Sequence, residues 1–222
     1  MRRRRRALVA TLAAAAALWL TLPGVLPAAA HDANDYYVHR WDGDLDLEYR
    51  FTSQVPLSPA LRERIKEGAA TWNALGESLT MSKRGRDLPE YDPFRCPDVA
   101  RTNGVHWRPI DGPGATAGSA ITCWSSSGAL YSFQVLFDSE ENWYTGTATP
   151  GPTEMDLISV SAHEFGHAAG FGAGAESGHF SAATPLCPLD ATLNTLCPAI
   201  VSGTTWSRSL ARHDRHTFRT AY

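Results

Sequence analysis

The segment His163-Glu164-Phe165-Gly166-His167 constrains this chain more than any other. Its imidazoles are four residues apart, and an α-helix puts residues i and i+4 on one face with Cβ atoms about 5–6 Å apart. Two histidines so placed can converge on a tetrahedral ion such as zinc, with the intervening glutamate near the ion's open side. There it can take a proton from bound water, whose pKa zinc lowers to about 7. The plain alternative is two histidines on a polar helix face. The surroundings favour the metal. Thr153, with Asp156 three residues on, predicts a helix start. A helix from there to Ala169 carries the motif, and Gly170 is placed to end it.

Zinc requires a third protein ligand. His179 is the nearest downstream histidine, beyond a loop of Gly, Ala and Ser. Glu176, His213 and His216 are the alternatives. Carboxylate third ligands usually come from a second helix, and the stretch around Glu176 is too glycine-rich to be one.

The N-terminus points to export. Met1 is followed by Arg2 to Arg6, an uncharged run from Ala7 to Leu22, the break Pro23-Gly24, and Ala28-Ala29-Ala30. This is the order of a cleaved signal peptide over residues 1–30, with residues 31–222 as the exported domain. An uncleaved anchor is the alternative, but the apolar run is short of the ~20 residues a span needs. The arginine cluster also allows the twin-arginine route. Residues 1–30 hold five of the 20 basic residues and none of the 23 acidic ones, so the remainder carries 15 against 23, a formal net charge of −8. That balance argues against nucleic acid or an anionic membrane as partner. A secreted, extracellular monomer is expected. Cys96, Cys123, Cys187 and Cys197 form an even set, read as two disulfides in an exported chain. The pairing Cys96–Cys123 and Cys187–Cys197 is favoured because each bridge then closes one loop. No C-x-x-C spacing supports a zinc–cysteine site.

Alternation of Leu45, Leu47, Tyr49 and Phe51 with Asp46, Glu48 and Arg50 predicts a half-buried strand. Ser58-Pro59 opens an amphipathic helix carrying Leu61, Ile65, Ala69 and Trp72, ending about Leu75. Residues 76–128 are turn-rich, with short strands near Val105–Ile110 and Thr116–Trp124. A further alternating strand holds Tyr131, Phe133, Val135 and Phe137 and runs to Asp138. The chain beyond Gly170 reads as irregular to about Ser207, and Ser209–Tyr222 as a last helix. Strands first and helices flanking them indicate an α+β domain.

With these residues in hand, the chain resembles a metzincin, and within that clan a matrixin, over roughly residues 41–222. His163, Glu164, His167 and Gly170 match the signature H-E-x-x-H-x-x-G-x-x-H. Trp41 to Trp72 is similar to the family's first strand and helix, and Gly114–Ile121 to its edge strand, which pairs with extended substrate. Leu136-Phe137-Asp138-Ser139-Glu140-Glu141-Asn142-Trp143 resembles the family's F-D-x-D/E-E-x-W segment. The resemblance implies a single catalytic domain with a twisted, mostly parallel sheet, an antiparallel edge strand, an active-site helix and a C-terminal helix. It also implies calcium at Asp138 and Glu141, and a methionine turn supported by Asp214.

The departures are specific. The third histidine falls at Ala173, and His179 serves only after a six-residue insertion. Leu196 stands where the turn has methionine, in Thr195-Leu196-Cys197-Pro198. Pro198 fits the wall of the primed-side pocket, but Ile200 replaces the usual tyrosine. Leu136 replaces a structural-zinc histidine, so a second zinc is not expected. Phe94-Arg95-Cys96-Pro97-Asp98-Val99 resembles the family's cysteine switch, but lies inside the domain, and Cys96 is read as a disulfide partner. The implied activity is peptide-bond hydrolysis on polypeptide substrates, with zinc held by His163, His167 and His179 and Glu164 as general base. The alternative is a degenerate relative that binds zinc and a partner without catalysis.

Overall fold

The computed structural model describes residues 39–42, 45–56, 58–98, 102–172, 195–197 and 200–222, all within one compact unit, Asp32–Tyr222. Strand β1 (Asp46–Phe51) buries Leu47, Tyr49 and Phe51 and exposes Asp46 and Glu48, as its alternation predicts. Helix α1 (Pro59–Asn73) follows, with Ser58 at the cap position, where its side chain makes no cap hydrogen bond. It buries Leu61, Ile65, Gly68, Ala69 and Trp72.

Strand β2 (Thr80–Lys83) was not foreseen, because four residues with one buried side chain carry no readable period. It exists through its parallel pairing with β1. Strands β3 (Gly104–Arg108), β4 (Gly118–Trp124) and β5 (Leu130–Asp138) fall where the sequence predicts strands. Two-residue strands β6 (Trp143–Tyr144) and β7 (Met155–Asp156) precede helix α2 (Leu157–Ala168), and a 3-10 turn at Trp206–Arg208 precedes helix α3 (Arg212–Ala221).

The main sheet has the order β2-β1-β3-β5-β4. β1 pairs in parallel with β2 and β3, and β3 with β5, while β4 lies antiparallel to β5 at the edge. This is a mixed α+β fold with a mostly parallel sheet and one antiparallel edge. β5 departs from the half-buried expectation, since every residue but Tyr131 is buried. Both its faces are covered. Phe133 meets Phe165 of α2 edge-on, with centroids 6.1 Å apart. On the other face Gln134 accepts a hydrogen bond from Tyr91 at 2.5 Å and lies 3.1 Å from His106 Nε2.

Cys96 and Cys123 are bridged, tying the 89–98 loop to the edge strand. Cys197 is also disulfide-bonded, while Cys187 lies outside the described residues. Residues 1–30, Glu176, His179 and Pro198 lie outside them as well. Among the described residues no helix is long and apolar enough to cross a membrane.

Candidate metal centre

The candidate centre is built on α2, which the rest of the fold grips along its length. The expected cap, Thr153, is not the cap. Asp156 is: its Oδ2 accepts from Ser159 N at 2.9 Å and Ser159 Oγ at 2.7 Å. Thr153 sits ahead of β7, which carries the chain to Asp156 before the helix turns. Asp156 is buried and paired with Arg208, whose guanidinium also donates to the Thr147 and Gly146 carbonyls. Further along, Ser161 Oγ donates to the Ile65 carbonyl of α1 at 2.7 Å, and Trp72 Nε1 to the Ala162 carbonyl at 2.8 Å. Trp41 Nε1 and the Tyr222 hydroxyl take the Ala168 and Ala169 carbonyls, groups that a helix end otherwise leaves unpaired. Gly170 ends the helix at φ +102°, and a Cβ there would stand 2.3 Å from the His39 carbonyl. Only glycine fits both demands.

Every residue of α2 is buried. The imidazoles therefore do not belong to a solvated helix face, the plain alternative for the motif. One ligand atom each from His163, Glu164 and His167 lies within 4.8 Å of the others. His163 Nδ1 is 2.6 Å from the Thr195 carbonyl, and His167 Nδ1 is 2.8 Å from the Phe171 carbonyl. A carbonyl only accepts, so each Nδ1 carries a proton, and in the neutral form of the ring Nε2 is the atom left to bind a metal. Those two Nε2 atoms are 3.1 Å apart. Two facing acceptors at that distance repel unless a cation or proton lies between them. Two nitrogens on tetrahedral zinc, each at about 2.0–2.1 Å, would be about 3.3–3.4 Å apart. The donor set fits zinc, and the two carbonyls supply the outer hydrogen bonds that orient metal-binding imidazoles.

The Thr195 carbonyl is itself held. Thr195 N and Ala211 N donate to Asp214 Oδ2 at 2.9 and 2.8 Å, so α3 fixes the turn that fixes His163. Burial pushes the Asp214 carboxyl above its usual range. Leu196 is buried in this turn beneath α2, at the position where the resemblance places methionine. A Cβ on Gly166 would come within 2.7 Å of Leu196 Cδ2 and 2.6 Å of Trp72 Cζ2, so the motif's glycine lets helix, turn and α1 meet.

Glu164 is 4 % exposed, and desolvation pushes its carboxyl up to about 8. A divalent cation beside it would favour the ionised form, as any close opposite charge does. Gly118 of β4 makes room for it, since a Cβ there would be 2.8 Å from Glu164 Oε1.

Of the alternative third ligands, His213 and His216 lie on α3 and neither joins the cluster. Asp138 and Glu141 do not join the cluster either. Asp138 is buried and accepts from Glu140 N at 2.9 Å and Asp111 N at 3.3 Å, while Glu141 Oε1 accepts from Gly114 N at 2.7 Å. The Thr195 and Phe171 carbonyls, Gly118 and Trp72 were not identified as parts of the centre from sequence. The first two act through backbone atoms that any residue carries, so no residue-type signal exists for them.

The matrixin family model matches residues 98–180, the stretch that includes β3, β4, β5 and α2. Over it the chain is matrixin-like. No curated protein matches the chain.

Proposed function

We propose that this chain, matrixin-like through its central stretch, is a zinc-dependent endopeptidase in which His163 and His167 hold the metal, His179 completes the set and Glu164 is the general base. The observation that carries the reading is the pair of Nε2 atoms 3.1 Å apart, each imidazole oriented by a backbone carbonyl on its far side. When bound, zinc would supply Lewis acidity toward a carbonyl and a water acidified to near neutrality. This chain's own residues do the rest. Glu164 takes a proton at its carboxylate and returns one to the leaving amine. Its burial keeps competing water away and strengthens nearby charge interactions. β4 lies at the sheet edge and offers unpaired backbone groups to an extended polypeptide, which would add as a further strand. Leu196, buried and matched to Gly166, fills the floor position of the turn, which supports an intact centre over a degenerate one.

The N-terminal pattern of arginines, apolar run and small residues supports secretion, with residues 31–222 acting outside the cell as a monomer without stable membrane association. Calcium at Asp138 and Glu141 is proposed as a stabilising ion. The carboxylates are the hard oxygen donors it takes, although each now accepts from backbone N–H groups. Hydrolysis of casein or gelatin by the wild type and by Glu164→Ala, with and without a chelator, tests the function. Cleavage lost in the variant and on chelation supports it, and equal turnover by both proteins contradicts it.

A further inference from the structure

Strand β4 passes two distinct neighbourhoods. Its first residue, Gly118, lies against Glu164 and Val160 of α2. Its last, Trp124, is 46 % exposed, a large apolar side chain left open at the sheet edge. Strand side chains alternate, so Gly118, Ala120, Thr122 and Trp124 share a face, and at about 3.4 Å per residue Trp124 stands about 20 Å from Gly118. Cys123 turns the other way, buried and bridged to Cys96.

Trp124 is open but fixed. Its ring stacks on His39, with centroids 4.7 Å apart and planes 19° from parallel. His39 is held in turn: its carbonyl lies against Gly170 at the end of α2, and Leu130 N donates to the next carbonyl, that of Arg40, at 2.8 Å. The β4–β5 register shifts between Cys123 and Trp124, but the residue passed over is Tyr131 of β5, so β4 itself keeps its alternation to Trp124. A large ring already ordered in this way loses little freedom when a ligand covers it.

We propose that Trp124 and His39 form a remote subsite that takes an aromatic side chain of the polypeptide substrate, about six residues before the scissile bond. The inference rests on the peptidase reading above. β4 is continuous with the proposed cleft, so its occupant is the substrate strand itself. Antiparallel addition gives the more stable pairing. A strand added that way, with its scissile bond beside Gly118 and Glu164, carries its N-terminal side over Trp124. An aromatic ring there can stack or meet the indole edge-on.

The test uses the metal-loaded protein and three peptides with one shared core, cleavage positions being verified by mass spectrometry. The first carries Phe six residues before the scissile bond, the second Ala at that place, and the third Phe six residues after it. In the wild type, kcat/KM for the first should exceed that for the second about fivefold, through KM. The ratio should fall to about 1 in Trp124→Ala and return in part in Trp124→Phe. Because each ratio is formed within one protein, a general loss of folded enzyme cancels. A wild-type ratio of 1, a ratio unchanged in Trp124→Ala, or a preference only for the downstream Phe overturns the subsite while leaving the peptidase reading intact. Failure of the wild type to cut the shared core overturns the peptidase reading, and the subsite falls with it.

Discussion

Two acid-bearing corners of this molecule treat their carboxylates in opposite ways. At the corner of residues 111–116 and 138–141, acids are turned toward donors the chain itself provides. Asp111 accepts from Thr116 N at 3.0 Å and Thr116 Oγ1 at 2.6 Å, and these bonds hold its carboxyl below the usual range. Asp138 and Glu141 likewise accept from backbone N–H groups. On α2, desolvation pushes Glu164 up to about 8, and the neighbouring imidazoles bring their Nε2 atoms to 3.1 Å of each other. The first corner is met by donors of the chain itself, whereas the second gathers a carboxyl and two imidazole nitrogens, a donor set that suits a cation. A desolvated carboxyl beside two converging imidazoles marks a functional centre better than acidity alone.

The largest expected effect strikes the second corner. Glu164→Gln should lower kcat by about 10²–10⁴ with zinc content unchanged, since only the proton carrier is lost. Activity should also fall as pH drops below about 6, because histidines bind metal only as neutral imidazoles. A rate profile flat down to pH 4 would contradict the centre.

Next comes its outer support. Asp214→Ala strips two backbone N–H groups of their acceptor and should cost about 1–3 kcal/mol in denaturant unfolding. By loosening the Thr195 carbonyl it should also weaken zinc affinity by about 10–100-fold. Wild-type affinity in the variant would show that the turn does not orient His163. Gly166→Ala crowds Leu196 and Trp72 and should cost about 1–3 kcal/mol in the same assay.

The first corner should respond least. The double variant Asp138→Asn, Glu141→Gln keeps hydrogen-bond acceptors at both places, so without calcium its midpoint should shift by no more than about 0.5 kcal/mol equivalent. Added calcium should raise the melting temperature of the wild type and not of the variant. An equal rise in both would remove calcium from these residues.

Much of the fold was legible where one face of an element is buried. The alternation in β1 and the spacing of Leu61, Ile65, Ala69 and Trp72 in α1 each report a single buried face, and both elements lie where predicted. β2 escaped because its existence depends on a partner 34 residues away in register, Asp46 opposite Thr80. The start of α2 was misread for a related reason. Thr153 has the local chemistry of a cap, but β7 pairs with β6 and delays the turn to Asp156, whose capping role is reinforced by the distant Arg208. In the candidate centre, side-chain ligands were legible from spacing on one helix. Their orientation was not, because it is set by the Thr195 and Phe171 carbonyls, by Asp214 across the fold, and by the space left at Gly118 and Gly166.

The most direct test of the central claim is the zinc content of the purified, zinc-loaded protein measured beside His163→Ala and His167→Ala. The account predicts about one tightly held zinc per chain in the wild type and loss of that zinc in each variant. A wild type that retains none, or a variant that retains the full complement, would contradict it.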